Sequence, residues 1–259
     1  MIKKSRLPGL LTWLTLLFFY FPIVLLVVNS FNLTRTGGNW GGFTLRWYRD
    51  LFEAREIWNA LRNTLVVAFI ATGASTIIGT TAAIALHRYK GRLQNAHYGL
   101  IYTPLVVPEI LLGISLLLFF VALKIDLGLT TVVLAHITFC TSYVTMAVLS
   151  RLQDFDLTIL EAARDLGANT WTTAWHVLIP VLSPGILAGA LLAFTLSIDD
   201  FVISFFVAGP GSTTLPIHIY SMIRRGSMPL INALSTILLA ITFLAILVYQ
   251  IISKKTAAK

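Results

Sequence analysis

The chain has 259 residues, 57% of them hydrophobic and only 12% charged, with a mean hydropathy of +0.83. An ordinary soluble domain is about 25% charged, so this composition excludes one. The net charge of +8 reads as basic flanks of membrane spans rather than a nucleic-acid surface. The one cysteine, Cys140, lies in an apolar run and excludes an internal disulfide.

Six spans of about 20 residues are predicted at 10–30, 63–86, 98–122, 130–150, 184–208 and 230–252. Each is read as a helix, because only helices and closed barrels satisfy every backbone group in hydrocarbon. The runs are too long and too continuously apolar for barrel strands, which alternate over about 10 residues. The whole chain, 1–259, therefore reads as a single all-α transmembrane domain. Its first apolar run exceeds the h-region of a signal peptide, and no A-x-A site follows, so an uncleaved first span is expected.

The connection 31–62 is the largest piece expected outside the cell. Gly37-Gly38 and Gly41-Gly42 mark turns there. From Thr44 onward, Trp47, Leu51, Ala54 and Trp58 recur at helical spacing, which predicts an amphipathic surface helix. The connections 87–97 and 123–129 are short. With both termini cytoplasmic, that side holds Lys3, Lys4, Arg6, Arg88, Lys90, Arg92, Arg151, Arg164, Lys254, Lys255 and Lys259. The other side holds Arg35, Arg46, Arg49, Arg55, Arg62, Lys124, Arg224 and Arg225. Lysine and arginine excess marks the cytoplasmic side.

The polar segment 151–183 stands between long apolar runs. Thr158 and Glu161 suggest a capping box at a helix start. Leu157, Leu160, Ala163 and Leu166 give an apolar stripe, and Gly167 suits the left-handed position that ends a helix. Asn169 or Thr170 can cap a second helix, with Trp171, Ala174, Trp175 and Leu178 on one face. Pro180 and Pro184 punctuate the approach to the next span. Two short helices with a glycine corner are expected, with Glu161, Arg164 and Asp165 exposed to a soluble partner.

Ionisable residues inside spans are costly and are functional candidates by default. Glu109 follows Pro108 in the third predicted span, and Asp199-Asp200 sit deep within the fifth. Neighbours on an ideal helix point about 100° apart, so both aspartates face one lumen only if the helix is distorted. Otherwise one lines the pathway while the other caps or pairs. Phe194, Phe201, Phe205 and Tyr220 are candidates for cation–π contact with a cationic cargo. The histidines His87, His97, His136, His176 and His218 are scattered, so no catalytic or metal-ligating residue is assigned. No G-x-x-x-x-G-K-[ST] element is present, so no P-loop binds ATP here.

The segment 151–183 resembles the EAA loop of permeases of ATP-binding-cassette importers. That pattern is E-A-A, three residues, Gly, nine residues, then I-x-L-P; here it reads Glu161-Ala162-Ala163, Gly167, then Val177-Leu178-Ile179-Pro180. Val177 and Ile179 depart from the pattern but keep its apolar character. Further runs are similar to the spermidine/putrescine permease branch, C-type subunit. They are Val28-Asn29-Ser30-Phe31-Asn32, Gly42-Phe43-Thr44, Trp47-Tyr48, His136-Ile137-Thr138-Phe139-Cys140, Phe194 to Val202 and Ile219-Tyr220-Ser221-Met222.

The resemblance implies a type I importer permease fold with six transmembrane helices and a cytoplasmic coupling helix. Glu161, Ala162, Ala163, Arg164, Asp165, Gly167 and Pro180 would couple to the ATPase. Asp199, Asp200, Glu109, Phe194, Phe201 and Tyr220 would line the substrate path. The implied partners are a second permease subunit of the B type in a heterodimer, two copies of a cytoplasmic ATPase and an extracytoplasmic polyamine-binding protein. The chain itself would hold no cofactor or metal, ATP and magnesium being bound by the ATPase. The implied location is the bacterial inner membrane, crossed several times, with lipid as its surroundings.

Three other functions account for less of the pattern. The same machine could carry another cationic or metal-bound solute, such as ferric iron or thiamine. An ATP-independent channel or secondary transporter could use Asp199 and Asp200 as a cation relay, but it leaves the ordered polar loop unexplained. A membrane enzyme lacks any nucleophile or metal-ligand spacing.

Overall fold

A computed structural model describes residues 7–34, 39–89, 91–153, 156 and 158–257, with the backbone alone at 249 and 252–257. Lys3, Lys4, Arg6, Arg35, Gly37, Gly38, Lys90, Leu157 and Lys259 lie outside the described residues, as do the side chains of Lys254 and Lys255. The described residues are almost wholly helical. In chain order the helices are α1 (Leu7–Asn29), α2 (Arg46–Glu53), α3 (Arg55–Arg88), α4 (Gln94–Val106), α5 (Glu109–Ala122) and α6 (Leu129–Gln153). They continue with α7 (Thr158–Asp165), α8 (Thr170–Thr173), a π-helical turn Ala174–Leu178, α9 (Ile179–Asp199), α10 (Val202–Val207), α11 (Leu215–Arg224) and α12 (Met228–Ala257).

By length and composition, five helices among the described residues can cross a membrane, or six if one bent pair is a single span. Two predicted spans change form. The third is not one rod: α4 and α5 meet at 113°. Val107, preceding Pro108, is extended with ψ 132°, because the proline ring disfavours helical backbone in the residue before it. The fifth does not run from 184 to 208 either. Its helix begins at Thr170 and stops at Asp199, so the two aspartates sit at its end rather than deep within it.

The chain forms two compact units. The first comprises Met1–Ile57 and Ile219–Lys259, the second Trp58–His218. In the first, α12 packs against α1 and α2. The apolar α1 presents no buried residue, as expected of a helix surrounded by lipid. The amphipathic helix expected from Thr44 is shorter than its pattern, because α2 ends at Glu53 and Trp58 belongs to α3. Trp47 and Leu51 still form its buried face. Asn32 fixes the entry to α2: its carbonyl accepts the Trp47 indole N–H at 2.7 Å, and its Oδ1 accepts the N–H of Thr34 and of Gly41. Phe31 lies between Phe43 and Tyr48, with ring centroids at 5.4 and 5.2 Å.

In the second unit, α6 and α9 form the axis of the core. Val144, Val148, Leu149, Leu152, Leu182 and Ala193 are sealed between them, with Ile203 and Val207 of α10 completing the cluster. Close approach of α6 and α9 depends on Gly185 and Gly189, four residues apart on α9. A Cβ at Gly189 would lie 3.2 Å from the Val144 Cα, and one at Gly185 would lie 2.9 Å from the Arg151 Cβ. Without a strong hydrophobic drive between helices in lipid, such small-residue faces supply the packing.

Gly189→Leu should therefore destabilise the second unit by about 1–3 kcal/mol, the usual cost of overpacking. Gly73→Leu, at a position with no atom within 4 Å of a built Cβ, should be tolerated. Thermal unfolding of the detergent-solubilised chain compares them; equal midpoints would contradict the packing assignment.

Candidate functional site

The break after α9 builds the first site. Asp200 leaves the helix with ψ 120°, and α10 starts again at Val202. Asp200 then acts as the cap of α10. Its Oδ1 accepts the Ile203 N–H at 3.2 Å, and its Oδ2 accepts the Ser204 N–H at 2.8 Å. These are orphan donors of a helix start, which need acceptors away from water. His136 of α6 approaches the same carboxylate, with Nε2 at 3.2 Å from Oδ2. Its Nδ1 lies 2.7 Å from the Ser197 hydroxyl, and Nε2 lies 2.9 Å from the Ser204 hydroxyl.

A cavity of about 240 Å³ opens beside this break. Glu109 and Leu112 of α5 form one wall, Phe139 and Tyr143 of α6 another, and Asp199, Asp200 and Phe201 a third. Three of the predicted carboxylates thus share one space, with no lysine or arginine among the lining residues. Glu109 is the first residue of α5, where the helix dipole favours an anion. Glu109 and Asp199 are exposed, and their side chains make no hydrogen bond or ion pair among the described residues. No group of three or more His, Cys, Asp or Glu among the described residues could hold a metal ion.

The aromatic candidates divide. Phe201 lines the cavity and packs against Phe205 at 5.5 Å. Phe194 packs against Phe69 at 5.0 Å and is not among the lining residues. Tyr220 belongs to the first unit. Sequence reading missed Phe139, Tyr143 and above all His136. A histidine in mid-span was the available signal, since ionisable residues are rare within spans and are functional candidates by default.

The polar segment is the second site. The cap of α7 is Asp156, not the predicted box at Thr158, which is already the first helical residue. Asp156 Oδ1 accepts the Thr158 N–H at 2.9 Å. That bond, helped by the Thr158 hydroxyl, holds the Asp156 carboxyl below its ordinary value of 3.8. Gly167 ends α7 with φ +88°. The Gly167 N–H reaches the Arg164 carbonyl at 2.8 Å and the Ala168 N–H reaches the Ala163 carbonyl at 3.1 Å, the paired bonds of a Schellman ending. Asn169 caps the next helix by accepting the Thr172 N–H at 2.8 Å.

That next helix is not short, as the sequence suggested. It continues through the π-helical turn into α9, so one helical run joins Thr170 to Asp199 over 30 residues. At about 1.5 Å per residue it spans about 45 Å. Ser183 donates to the Pro180 carbonyl at 2.7 Å, replacing the donor that Pro184 lacks. Apolar side chains cluster at the loop without cover: Leu166 is 89% exposed, Trp171 72% and Trp175 50%. Glu161 and Arg164 line a cavity of about 490 Å³ with His87, Arg88, Gln94 and Tyr98.

Residues 75–258 match the family described as binding-protein-dependent transport system inner membrane component. The spermidine/putrescine transport system permease protein PotC of Escherichia coli (strain K12) is 41% identical over 237 residues, covering 92% of this chain and 90% of that protein. The putrescine transport system permease protein PotI of the same organism is 44% identical over 229 residues, covering 86% and 82%. Among solved structures, a bacterial transporter that imports the acidic polysaccharide alginate aligns with a TM-score of 0.75 at 16% identity, over 98% of both chains. The MetNI methionine transporter aligns with a TM-score of 0.60 at 18% identity, over 80% of this chain and 95% of that one. Both carry the fold of this chain.

The cap at Asp156 sets a local pH dependence. Its carboxyl is depressed in the folded loop, so its contribution is complete above the ordinary value of 3.8 and is lost as pH falls through the folded value. The protection factor of the Thr158 amide, its exchange rate relative to the unfolded chain at the same pH, should be high at neutral pH and fall in that acid range. Asp156→Ala should lower that protection at neutral pH and converge with the unmodified protein in the acid range, whereas Asp156→Asn, still an acceptor, should preserve protection at neutral pH. Equal protection in all three proteins would remove the cap from the loop's stability.

Proposed function

The chain belongs to the family of inner membrane components of binding-protein-dependent transport systems and is a permease subunit of a spermidine/putrescine importer; from that premise we propose how its residues pass the cargo and receive the drive. It is not an enzyme, since ATP is bound and hydrolysed by a separate ATPase subunit. It is a multi-pass inner membrane protein and works with that ATPase and a binding protein. The finer arrangement is proposed: both termini cytoplasmic, a B-type second permease subunit, and two copies of the ATPase. The whole chain would act as one permease domain.

The observation that carries the cargo reading is the cavity where Glu109, Asp199 and Asp200 share walls with Phe139, Tyr143 and Phe201 and no cation. Spermidine and putrescine are chains of methylenes between protonated amines. Separated carboxylates attract the amines, while aromatic and aliphatic walls accept the methylenes and add cation–π attraction. Holding the cargo only weakly suits a site it must leave, selection being made earlier by the binding protein.

The drive enters at the other end of the α8–α9 run. The exposed side chains of Leu166, Trp171 and Trp175 form a face that a soluble subunit would cover. Glu161, Ala162, Ala163, Arg164 and Asp165 form the body of α7, and Gly167 fixes its corner. Displacement of this loop by ATPase closure would be carried along one helix to Asp199, past Pro180 near its start. A stiff element with two positions is what such a rigid-body mechanism requires.

Uptake of labelled spermidine and putrescine into proteoliposomes holding the complete importer tests the cargo. It should require ATP and the binding protein, and Asp199→Asn or Glu109→Gln should lower it by an order of magnitude with assembly intact. Normal uptake in both variants would remove the carboxylates from the path. In the same vesicles, Gly167→Asp or Glu161→Lys should abolish uptake and cargo-stimulated ATP hydrolysis while leaving membrane insertion unchanged. Transport at the unmodified rate in both would remove the loop from coupling.

A further inference from the structure

Asp199 and Asp200 are neighbours in sequence but are held in opposite ways. Both oxygens of Asp200 are engaged, Oδ1 by the Ile203 N–H and Oδ2 by the Ser204 N–H and His136 Nε2. Its side chain is only 6% exposed. Asp199 is exposed and has no such partner among the described residues.

His136 is the residue that makes the difference. It is 1% exposed in the middle of α6, where an unpaired imidazole would be costly. An ionised carboxylate only accepts hydrogen bonds, so in the neutral ring Nε2 carries the proton toward Asp200 and Ser204. Nδ1 then accepts from the Ser197 hydroxyl. One ring therefore holds the last turn of α9, the break itself and the first turn of α10. Phe139, one turn along α6, packs on the imidazole at 5.2 Å and also lines the cavity, so the ring lies just behind the cavity wall.

We propose that His136 is a positioning residue for the cargo site: it commits Asp200 to the framework of the broken helix and leaves Asp199 and Glu109 as the carboxylates that meet the cargo. This rests on the reading of the cavity as the polyamine path. His136 touches no cargo itself. By fixing the direction of the break, it sets where Asp199 points.

The test uses the complete importer with spermidine-loaded binding protein. His136→Ala should lower uptake about tenfold, the scale of losing a hydrogen bond to a charged group, and His136→Gln, which can still donate, should restore most of it. Because His136 acts through Asp200, the double variant H136A/D200A should fall within about twofold of D200A alone. Labelling with a water-soluble carbodiimide, mapped by mass spectrometry, should modify Asp199 in the unmodified protein and reach Asp200 only in H136A. Uptake at the full rate in H136A, losses that multiply in the double variant, or equal labelling of Asp199 and Asp200 in the unmodified protein would each overturn the proposal. Should H136A not assemble, labelling of the unmodified protein decides alone. Normal uptake in D199N would instead sink the polyamine-path reading, and the labelling would still judge the tie between His136 and Asp200.

Discussion

A helix that stops away from water must find partners for the N–H groups at the start of whatever follows it, and the second unit is organised around one such stop. Asp200 accepts from Ile203 and Ser204 at the head of α10, and His136 supports Asp200 from α6. Without that carboxylate the break would leave orphan donors among Phe139, Ile203 and Val207, all buried. With it, the chain can turn at Asp200 and present Asp199 to the cavity. The break falls beside the buried His136 of α6, which can support the carboxylate.

The second break obeys another rule. Pro108 forces Val107 out of helical conformation, which bends α4 from α5 by 113° and makes Glu109 a helix-start residue. Two unrelated devices, a proline and a capped carboxylate, thus deliver backbone ends to one cavity. A helix N-terminus tolerates negative charge in an apolar setting, because the local backbone field compensates part of it; this serves Glu109 at the head of α5 and Asp200 at the head of α10, but not Asp199, which ends α9. A cavity assembled partly from helix starts can therefore hold carboxylates that a continuous span would exclude.

Much of this was legible in the sequence, and what was not had a physical reason. Gly167 was readable because a left-handed corner strongly favours glycine, and it ends α7 with φ +88°. Asn169 was readable as a cap for the same kind of local reason. The cap of α7 was misplaced because Thr158 and Asp156 are both good cap residues, and only the three-dimensional turn decides between them. The run 184–208 was read as one span because hydropathy averages over Asp199 and Asp200 and cannot see a break that leaves composition unchanged. His136 escaped attention for a deeper reason: its partners Ser197, Asp200 and Ser204 lie 61 to 68 residues away in sequence, and no local pattern encodes them.

The contrast between the two aspartates also bears on how weak binding and high selectivity can coexist in a transport path. A site that held its cargo with every available carboxylate would bind tightly and release slowly. Engaging Asp200 in the framework lowers the charge directed at the cargo while keeping the negative field of the cavity. In the proposed path the cargo would meet a field that repels anions but only two carboxylates without protein partners of their own. The helical run from Thr170 ends at one of these two, Asp199. A shift of that run at the loop would change the distance between Asp199 and Glu109, which stands on the separate helix α5. Since a flexible diamine is held best when both charges are matched at once, altering that one distance would weaken the hold of the proposed site on its cargo.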